Sequence, residues 1–337
     1  MSKIKLVIDT DIGTDIDDAF ALAFALLSPR FEVVGITVVG PYGDLRARLA
    51  REICRCCGQD PPIGIGRHEP SGSYAWTGEG LPGQLRWIKE NLGSVASGRD
   101  SDLKDAAPLI RQALSQSSGP VAMACLGPLT NVAEALGTSA AHDVCPAVLA
   151  IMGGETDLVH AEYNFALDPE AADLVMQLPI DRFLATWNVS RRLTLDSANL
   201  DYIADRSGAL GELLLQLTTA WGGRHHPHPV LYDLSPLLWL CSPDLYGTQR
   251  MALRVETKGQ FTRGMSIPCE AHWARVSQSS GQQKGLPTDA KANTVATPTE
   301  VTVNMDVERA KQIVLETYES AGRQARPSTK GKRGMAK

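Results

Sequence analysis

The sequence lacks any long apolar segment, and this absence excludes a protein that spans a membrane through helices. No stretch approaches the roughly 18 uninterrupted apolar residues that a transmembrane helix requires. The first residues, MSKIKLVIDT, pass directly into a strand-like run and show neither the apolar stretch nor the small-residue cleavage site of a signal peptide. We therefore expect a cytoplasmic protein with no membrane partner.

Cysteine is sparse, with seven residues scattered over a chain of 337. An odd and scattered set does not form a disulfide framework, which agrees with a reducing compartment. Cys54, Cys56 and Cys57 lie together in the helix-like stretch LRARLAREICRCCG, but no second cysteine pair or histidine pair lies nearby. We interpret them as half-buried thiols on a helix rather than as zinc ligands.

An excess of positive charge is also lacking. The formal net charge is -5, and acidic and basic residues are interspersed. Because no basic face is available for a nucleic-acid backbone, we expect a small-molecule substrate and no nucleic-acid partner. Hydrophobic residues make up 43% and charged residues 21%, so the chain can bury one large, extended core.

Apolar, β-rich runs alternate with helical periodicity, beginning with KIKLVID, DDAFALAFALLS and FEVVGITVV. This alternation predicts an α/β fold in which helices flank a mainly parallel central sheet. The pattern ends in a strand and a helix, EVTVNMDVERAKQIVLETYES, so we predict a single large domain over residues 1–322. The polar stretch Ser277 to Thr299 is predicted to be a surface loop, and the basic residues 323–337 a disordered tail.

The densest chemical signal follows the first strand, in the run DTDIGTDIDDAFAL. It contains five closely spaced carboxylates: Asp9, Asp11, Asp15, Asp17 and Asp18. They lie where a strand gives way to a helix, at the edge where open α/β sheets bind ligands. Clustered negative charges raise one another's pKa values unless a cation compensates them. Oxygen ligands suit Ca²⁺ or Mg²⁺, and a flexible carboxylate cluster favours Ca²⁺.

Three other interpretations fit this run less well. Helix capping explains one or two of the aspartates and leaves the rest as solvated charges. An EF-hand counted from Asp9 fails, because its glycine falls at loop position five instead of six. A phosphatase of the DxD type would use Asp9 and Asp11, but it gives no role to Asp17 and Asp18.

The complete run DTDIGTDIDDAFAL resembles the N-terminal signature of the inosine-uridine-preferring nucleoside hydrolase family. Three later segments agree with that family in order and spacing: LGPLTNVAEAL at 126–136, IMGG with AEYNFALDPEAA within 151–172, and LYDLSPL at 231–237. The resemblance implies that residues 1–322 are a nucleoside hydrolase-like catalytic domain. It would hydrolyse the N-glycosidic bond of ribonucleosides to free base and ribose, and it would form a homo-oligomer, a dimer or a tetramer.

The matching motifs imply a Ca²⁺ site and a catalytic base. The implied protein ligands are the carboxylates of Asp11, Asp18 and Asp233 and the main-chain carbonyl of Leu126. The resemblance also makes Asp11 the base that deprotonates a water held by the metal. Asp9 would support the cluster without binding the metal.

The same motifs imply a second set of residues that bind the nucleoside. Asp17, Glu162 and Asn164 would hold the ribose hydroxyls, and Arg224 would lie at the rim of the base pocket. Three of the later residues also have purely structural interpretations. Glu162 could be a surface acid, Asn164 could cap the helix in DPEAA, and Asp233 could cap the helix that follows it.

The sequence departs from the family where the base leaves. Tyr232 precedes Asp233 at a position where the well-known enzymes have a histidine that assists departure of the purine. We predict that Tyr232, with His226 or His228 from the preceding loop, forms the catalytic acid, or that bases needing little protonation are preferred. The alternative is a non-catalytic nucleoside- or ribose-binding relative that lacks this acid.

Overall fold

A central sheet organises the computed structural model, which describes residues 2–69, 80–92, 103–137, 144–222, 228–269 and 298–325. Ten strands are found within these ranges. They are β1 (Ile4–Thr10), β2 (Phe31–Val38), β3 (Ile63–Ile65), β4 (Lys104–Asp105), β5 (Val121–Cys125), β6 (Val148–Met152), β7 (Arg182–Ala185), β8 (Tyr246–Val255), β9 (Ser266–Cys269) and β10 (Thr299–Met305).

Helices form most of the connections between these strands. They are α1 (Asp17–Leu27), α2 (Gly43–Cys56), α3 (Gly83–Asn91), α4 (Ala106–Gln116), α5 (Thr130–Leu136), α6 (Tyr163–Leu167), α7 (Pro169–Gln177), α8 (Trp187–Ser190), α9 (Ser197–Arg206), α10 (Ala209–Gly222), α11 (Leu234–Cys241) and α12 (Val307–Ala325). A 3-10 turn, Pro243–Leu245, precedes β8.

The strand order is β4-β3-β2-β1-β5-β6-β7-β10-β8-β9. All neighbours from β4 to β10 pair in parallel, and β8 and β9 add an antiparallel edge. The predicted α/β fold with a mainly parallel sheet is confirmed. A strand predicted near Ala252 to Glu256 is longer than expected, because its pairing with β10 begins at Tyr246, opposite Met305.

Apolar side chains on both faces of the sheet explain why the strands form its centre. In β1, Leu6 and Ile8 enter one hydrophobic cluster and Val7, between them, enters the other. The first cluster contains α1, α2, α11 and α12, and the second contains α4, α5 and α7. Parallel strands that are covered on both faces are mostly apolar, which is the pattern that β1 and β2 show.

Helix α1 is the most deeply enclosed helix of the site region, because all residues from Asp17 to Leu26 are buried. A helix that is apolar on every side is stable only inside a protein. Its position is fixed from α12, where the Tyr318 hydroxyl donates a hydrogen bond of 2.6 Å to the main-chain carbonyl of Phe20. The end of the chain therefore stabilises the helix that carries the first acidic motif.

Four other expectations can be compared with the structure. Helix α12 continues to Ala325, past the predicted domain boundary at residue 322, and the rest of the predicted tail lies outside the described residues. Most of the loop predicted at 277–299 also lies outside them. Within the described parts, no helix combines the length and apolar character needed to cross a bilayer. Cys54, Cys56 and Cys57 are free thiols at the end of α2.

The contact between Tyr318 and α1 yields a stability prediction. Tyr318→Phe should lower the free energy of unfolding by about 1 kcal/mol, because it removes one buried hydrogen bond and keeps the ring. Tyr318→Ala should lower it by about 3 to 5 kcal/mol, because a cavity is added. Urea denaturation measures both changes, and the exposed Gln312→Ala serves as a control on the same helix. An unchanged value for Tyr318→Phe would contradict this account of α1.

Candidate active site

The candidate site lies where the strand order of the sheet reverses. Strand β1 pairs with β2 on one side and with β5 on the other, so the connections that follow β1 and β5 diverge. Open parallel sheets bind ligands in the crevice at such a point, outside the carboxyl ends of the strands. The loop that leaves β1 here carries Asp11 and Asp15, and α1 begins with Asp17 and Asp18.

Asp9 lies in β1 itself and is fully buried. Its Oδ1 accepts hydrogen bonds from the Thr37 hydroxyl on β2, at 2.5 Å, and from the Asn131 amide on α5, at 2.8 Å. Burial raises the pKa of Asp9 to about 7, and these two donors oppose the increase. Asp9 does not line the cavity described below, so its contacts fix the strands beneath the site.

A cavity of about 350 Å³ opens at this edge of the sheet. Its described lining is Asp11, Thr14, Asp15, Asp17, Asp18, Leu126, Met152, Glu162, Tyr163, Asn164, Trp187, Trp221, Tyr232 and Asp233. The volume lies at the lower end of the range typical of sites for small organic ligands. The structure thus brings together residues that are separated by more than half of the chain.

Three carboxylates form a tight group within this cavity. Asp17, Asp18 and Asp233 each offer an oxygen atom within 4.8 Å of the other two. The main-chain N–H of Asp233 donates to Oδ2 of Asp17 at 3.1 Å, and the Thr10 hydroxyl donates to Asp18. Asp233 precedes α11 but its carboxylate makes no capping hydrogen bond, so it is free to face the group. This cluster can hold a metal ion.

Asp11 lies in the same cavity but outside this group of three. The motifs predicted Asp11, Asp18 and Asp233 as ligands, and the group of three within 4.8 Å contains Asp18 and Asp233 together with Asp17. The Asp11 carboxylate lies against Gly127. A Cβ atom added to Gly127 would lie 2.9 Å from the main-chain nitrogen of Asp11 and 2.9 Å from its Oδ1. A glycine after β5 is therefore required for the acidic loop to approach this closely.

Burial raises the pKa of all four carboxyl groups, those of Asp11, Asp17, Asp18 and Asp233. Repulsion from neighbouring aspartates raises the pKa values further. The Arg46 guanidinium lowers the pKa values of Asp11 and Asp18. The free protein therefore holds these charges together at a cost in free energy that a bound cation would relieve.

The wall formed by α6 contains two of the predicted ribose ligands. Glu162 is 4% exposed and caps α6, since its carboxylate accepts the N–H groups of Asn164, Phe165 and Gly154 at 3.0 to 3.2 Å. Glu162 is therefore not a surface acid. Burial raises its pKa to about 7, although these three donors oppose the shift.

Asn164 joins the ends of two strands. Its amide donates to the carbonyl of Leu126, after β5, at 2.7 Å and to that of Met152, in β6, at 3.2 Å. It does not cap the following helix, because the Asp168 carboxylate accepts the Ala171 N–H and performs that function. The Leu126 carbonyl, a predicted metal ligand, keeps a second lone pair in addition to the one facing Asn164.

Aromatic side chains form another part of the lining, and sequence reasoning missed most of them. Tyr163, Trp187 and Trp221 join Tyr232, the aromatic residue that the sequence had singled out. Trp187 lies two residues after the end of β7, so its position at the carboxyl edge of a predicted strand was a usable signal. Trp221 lies near the end of α10, and no local pattern marks it.

Tyr232 faces the acidic group from this aromatic part. Burial raises its pKa, and the charges of Asp17 and Asp15 raise it further, while Arg191 opposes the shift. The Arg191 guanidinium lies over the Trp187 ring, 4.4 Å from its centroid. The hydroxyl of Tyr232 is therefore a weaker acid than an exposed phenol and is better suited to donating a hydrogen bond.

The remaining predicted residues lie on the segment before Tyr232. His228 is exposed and does not belong to the described lining of the cavity, and Arg224 and His226 lie outside the described residues. Beyond His228, the main chain is anchored by an N–H of Leu231 that donates to the Leu193 carbonyl at 2.8 Å. The roles of these three residues stay predictions.

Arg46 is a further residue that the sequence analysis missed. It lies on α2, is 1% exposed, and donates hydrogen bonds to main-chain carbonyls of the acidic loop. The spacing of Arg46 with the apolar positions Leu49, Ala50 and Ile53 puts it on the buried face of the helix. A charged residue in an apolar stripe was therefore the available signal.

The model of the inosine-uridine preferring nucleoside hydrolase family matches residues 6–312, which is most of the chain. The chain belongs to this family. The nucleoside hydrolase is thus an enzyme that acts on N-glycosyl compounds, and the resemblance inferred from its motifs is confirmed.

Individual relatives agree in sequence and fold. The nucleoside hydrolase is 28% identical over 281 residues to the pyrimidine-specific ribonucleoside hydrolase RihA of Salmonella paratyphi C (strain RKS4594), covering 78% of this chain and 88% of the relative. Its fold is similar to that of the plant nucleoside hydrolase PpNRh1, with a TM-score of 0.75, 23% identity, and coverage of 94% and 99%. The fold is also similar to that of the purine-preferring ribonucleoside hydrolase from Gardnerella vaginalis, with a TM-score of 0.74 and 22% sequence identity. This match covers 95% of this chain and 100% of the relative.

The buried charges yield a prediction about cation binding. Ca²⁺ should raise the unfolding temperature of the nucleoside hydrolase, because only the folded chain assembles the acidic group. At a free cation concentration of about one hundred times the dissociation constant, the stabilisation is about 2.7 kcal/mol. Thermal unfolding in chelator and then in excess CaCl₂, followed by circular dichroism, measures this shift.

Asp18→Asn should remove most of the shift, since it takes one carboxylate out of the group of three. Asp244→Asn is the matched control, because Asp244 is an exposed carboxylate paired with Arg309 at 2.6 Å. It should keep the full shift. Equal shifts in the two variants would place the stabilising cation elsewhere.

Proposed function

We propose that this nucleoside hydrolase is a Ca²⁺-dependent enzyme that splits ribonucleosides into free base and ribose, with Asp11 as catalytic base. The observation that carries the proposal is the composition of one cavity, in which buried carboxylates and aromatic side chains face the same space. Ribose presents hydroxyl groups and develops positive charge as the bond breaks, whereas a nucleobase is a flat aromatic ring. The two kinds of lining match these two parts of the substrate.

Carboxylates near the ribose would stabilise the transition state. Cleavage of a glycosidic bond passes through an oxocarbenium-like sugar, and buried negative charges interact strongly with such a cation. Asp17 and Glu162 are the groups that we propose for the ribose hydroxyls, together with Asn164. The Asn164 amide is already fixed by two carbonyls, so the side chain is held in place before substrate binds.

The donor chemistry of the site suits a hard divalent cation. All candidate ligands are oxygen atoms, and the raised pKa values of the carboxyl groups indicate uncompensated charge. Asp11, Asp18, Asp233 and the carbonyl of Leu126 would hold Ca²⁺, and Asp17 lies close enough to share it. When bound, Ca²⁺ supplies a Lewis acid that orients water and ribose hydroxyls. Asp11 would accept the proton that water loses on attacking the sugar.

The lining also disfavours the phosphatase interpretation. None of the described residues that line the cavity is lysine, arginine or histidine, and five are aspartates. Such a surface repels a phosphomonoester, which carries negative charge. The predicted cytoplasmic location and the homo-oligomeric state stay predictions.

The base assignment is tested by comparing two aspartates of one loop. Asp11→Asn should lower kcat for inosine or uridine by about 10²- to 10⁴-fold, because an amide cannot accept the proton from water. Asp15→Asn removes the same charge from the same loop and should have a much smaller effect, since Asp15 has no proposed role. Release of reducing sugar measures turnover, and circular dichroism verifies folding.

Near-normal kcat in Asp11→Asn would rule out this mechanism. If the wild-type protein bound nucleosides but released no reducing sugar from any of them, the non-catalytic alternative would replace the proposal.

The leaving-group acid is tested with Tyr232→Phe, His226→Ala and His228→Ala. Each variant is assayed on inosine, on uridine and on a riboside with an activated aromatic leaving group. An acid is needed when the base leaves poorly, so its loss should lower turnover of the natural nucleosides and spare the activated substrate. Equal losses on all three substrates, or no loss in any variant, would argue against these residues as the acid.

A further inference from the structure

Arg46 connects two loops beneath the acidic site. Its Nε donates to the carbonyl of Pro41, after β2, at 2.8 Å, and its Nη1 donates to the carbonyl of Ile12, after β1, at 2.8 Å. Nη1 also donates to the carbonyl of Asp11. One guanidinium thus holds three main-chain carbonyls from two neighbouring strand-to-helix connections.

The burial of this cation requires compensation. Moving an ionised group out of water costs several kcal/mol unless charges and hydrogen bonds replace the lost solvation. Here burial lowers the pKa of Arg46, and the charges of Asp11 and Asp18 oppose that shift. The planar guanidinium presents donors in a fixed fork, which suits several carbonyls at once, whereas a lysine ammonium is a single point charge.

The backbone of the turn next to Pro41 independently indicates that the loop held by Arg46 is tightly constrained. Tyr42, which follows Pro41, has a φ of 64°, in the left-handed region that is unfavourable for a residue with a side chain. A strained backbone conformation of this kind persists only where the surrounding contacts hold it in place. Residues in such conformations are common near functional sites.

The acidic loop receives other side-chain donors besides Arg46. The Thr14 hydroxyl donates to the carbonyl of Asp11 at 3.1 Å, and the buried Gln84 of α3 donates to the carbonyl of Asp15 at 2.7 Å. The loop between β1 and α1 therefore depends on side chains from α2 and α3 for its shape. Arg46 is the charged member of this set and contacts the segment that carries Asp11.

We propose that Arg46 is a positioning residue for the cation site: it fixes the main chain at Asp11 and Ile12 and so sets the Asp11 carboxylate relative to Asp18. Arg46 does not line the cavity, so it acts through the loop and not on the substrate. The inference rests on the proposed cation site. Loss of the fork should loosen the loop and weaken cation binding, by about 10- to 100-fold, as found when residues that orient metal ligands are removed.

A role in charge compensation alone predicts the opposite result. The positive charge of Arg46 repels a cation bound near Asp11 and Asp18, so its removal would tighten cation binding. Arg46→Lys keeps the charge and loses the fork, whereas Arg46→Gln loses both. Positioning predicts weaker Ca²⁺ binding in both variants. Compensation alone predicts wild-type affinity for Arg46→Lys and tighter binding for Arg46→Gln.

Arg182 offers a matched control for removing a buried arginine. It is 2% exposed, lies at the start of β7, and also donates to main-chain carbonyls, those of Met176 and Leu178 near the end of α7. The carboxyl end of β7 lies on the active-site side of the sheet. Arg182 is the first residue of β7 and therefore lies at the amino end of the strand, away from the site. Arg182→Lys and Arg182→Gln should lower stability and leave the Ca²⁺ affinity of the folded protein unchanged.

The experiment is isothermal titration calorimetry of the full-length variants with CaCl₂ after chelator treatment, at a temperature where circular dichroism shows each to be folded. A loss of affinity in both Arg46 variants but in neither Arg182 variant supports the proposal. Wild-type affinity in Arg46→Lys, tighter binding in Arg46→Gln, or a similar loss in the Arg182 variants overturns it.

Three further outcomes are decisive. If both Arg46 variants fail to fold while both Arg182 variants fold, Arg46 acts on the stability of the fold and the positioning role is wrong. If the wild-type protein itself binds no Ca²⁺, the proposed cation site fails, and the inference fails with it. Normal Ca²⁺ binding by the wild type together with unchanged Arg46 variants overturns the inference alone.

Discussion

The concentration of negative charge in one buried cavity is the constraint on which the rest of the site depends. Like charges that are removed from water repel strongly, and the raised pKa values of Asp17, Asp18 and Asp233 reflect this. The fold supplies partial compensation from the amino end of α1, whose dipole favours acids in its first turn, and from Arg46. Burial of so much negative charge is unfavourable for folding, so we interpret it as serving the function of the site.

The architecture brings carboxylates and aromatic side chains into one cavity. Carboxylates come from the loop after β1, from the first turn of α1 and from the start of α11, and three of them lie within 4.8 Å of one another. Trp187, Trp221 and Tyr232 lie in the connection between β7 and β8, which also carries Asp233. Because β1 and β7 run parallel, the connections that follow them emerge at the same edge, so carboxylates and aromatic side chains share one small space.

The chemistry at Tyr232 follows from the same charges. A phenol that is partly buried beside Asp17 and Asp15 has a raised pKa and holds its proton more firmly. Proton transfer to a leaving base is therefore harder for Tyr232 than for a histidine, while hydrogen-bond donation remains available. In the proposed mechanism, the charges that would stabilise a cation and an oxocarbenium-like sugar would also limit how the base is protonated.

The sequence by itself determined the strand and helix alternation, the acidic run after β1 and the family, because these depend on local periodicity and on spacing within short motifs. Tertiary structure decided the rest. Asp233 donates its N–H to Asp17 from 216 positions away, Arg46 reaches the acidic loop from α2, and Trp221 enters the cavity from α10. No local pattern specifies such contacts, since they arise only when the order of strands in the sheet brings distant connections to one edge.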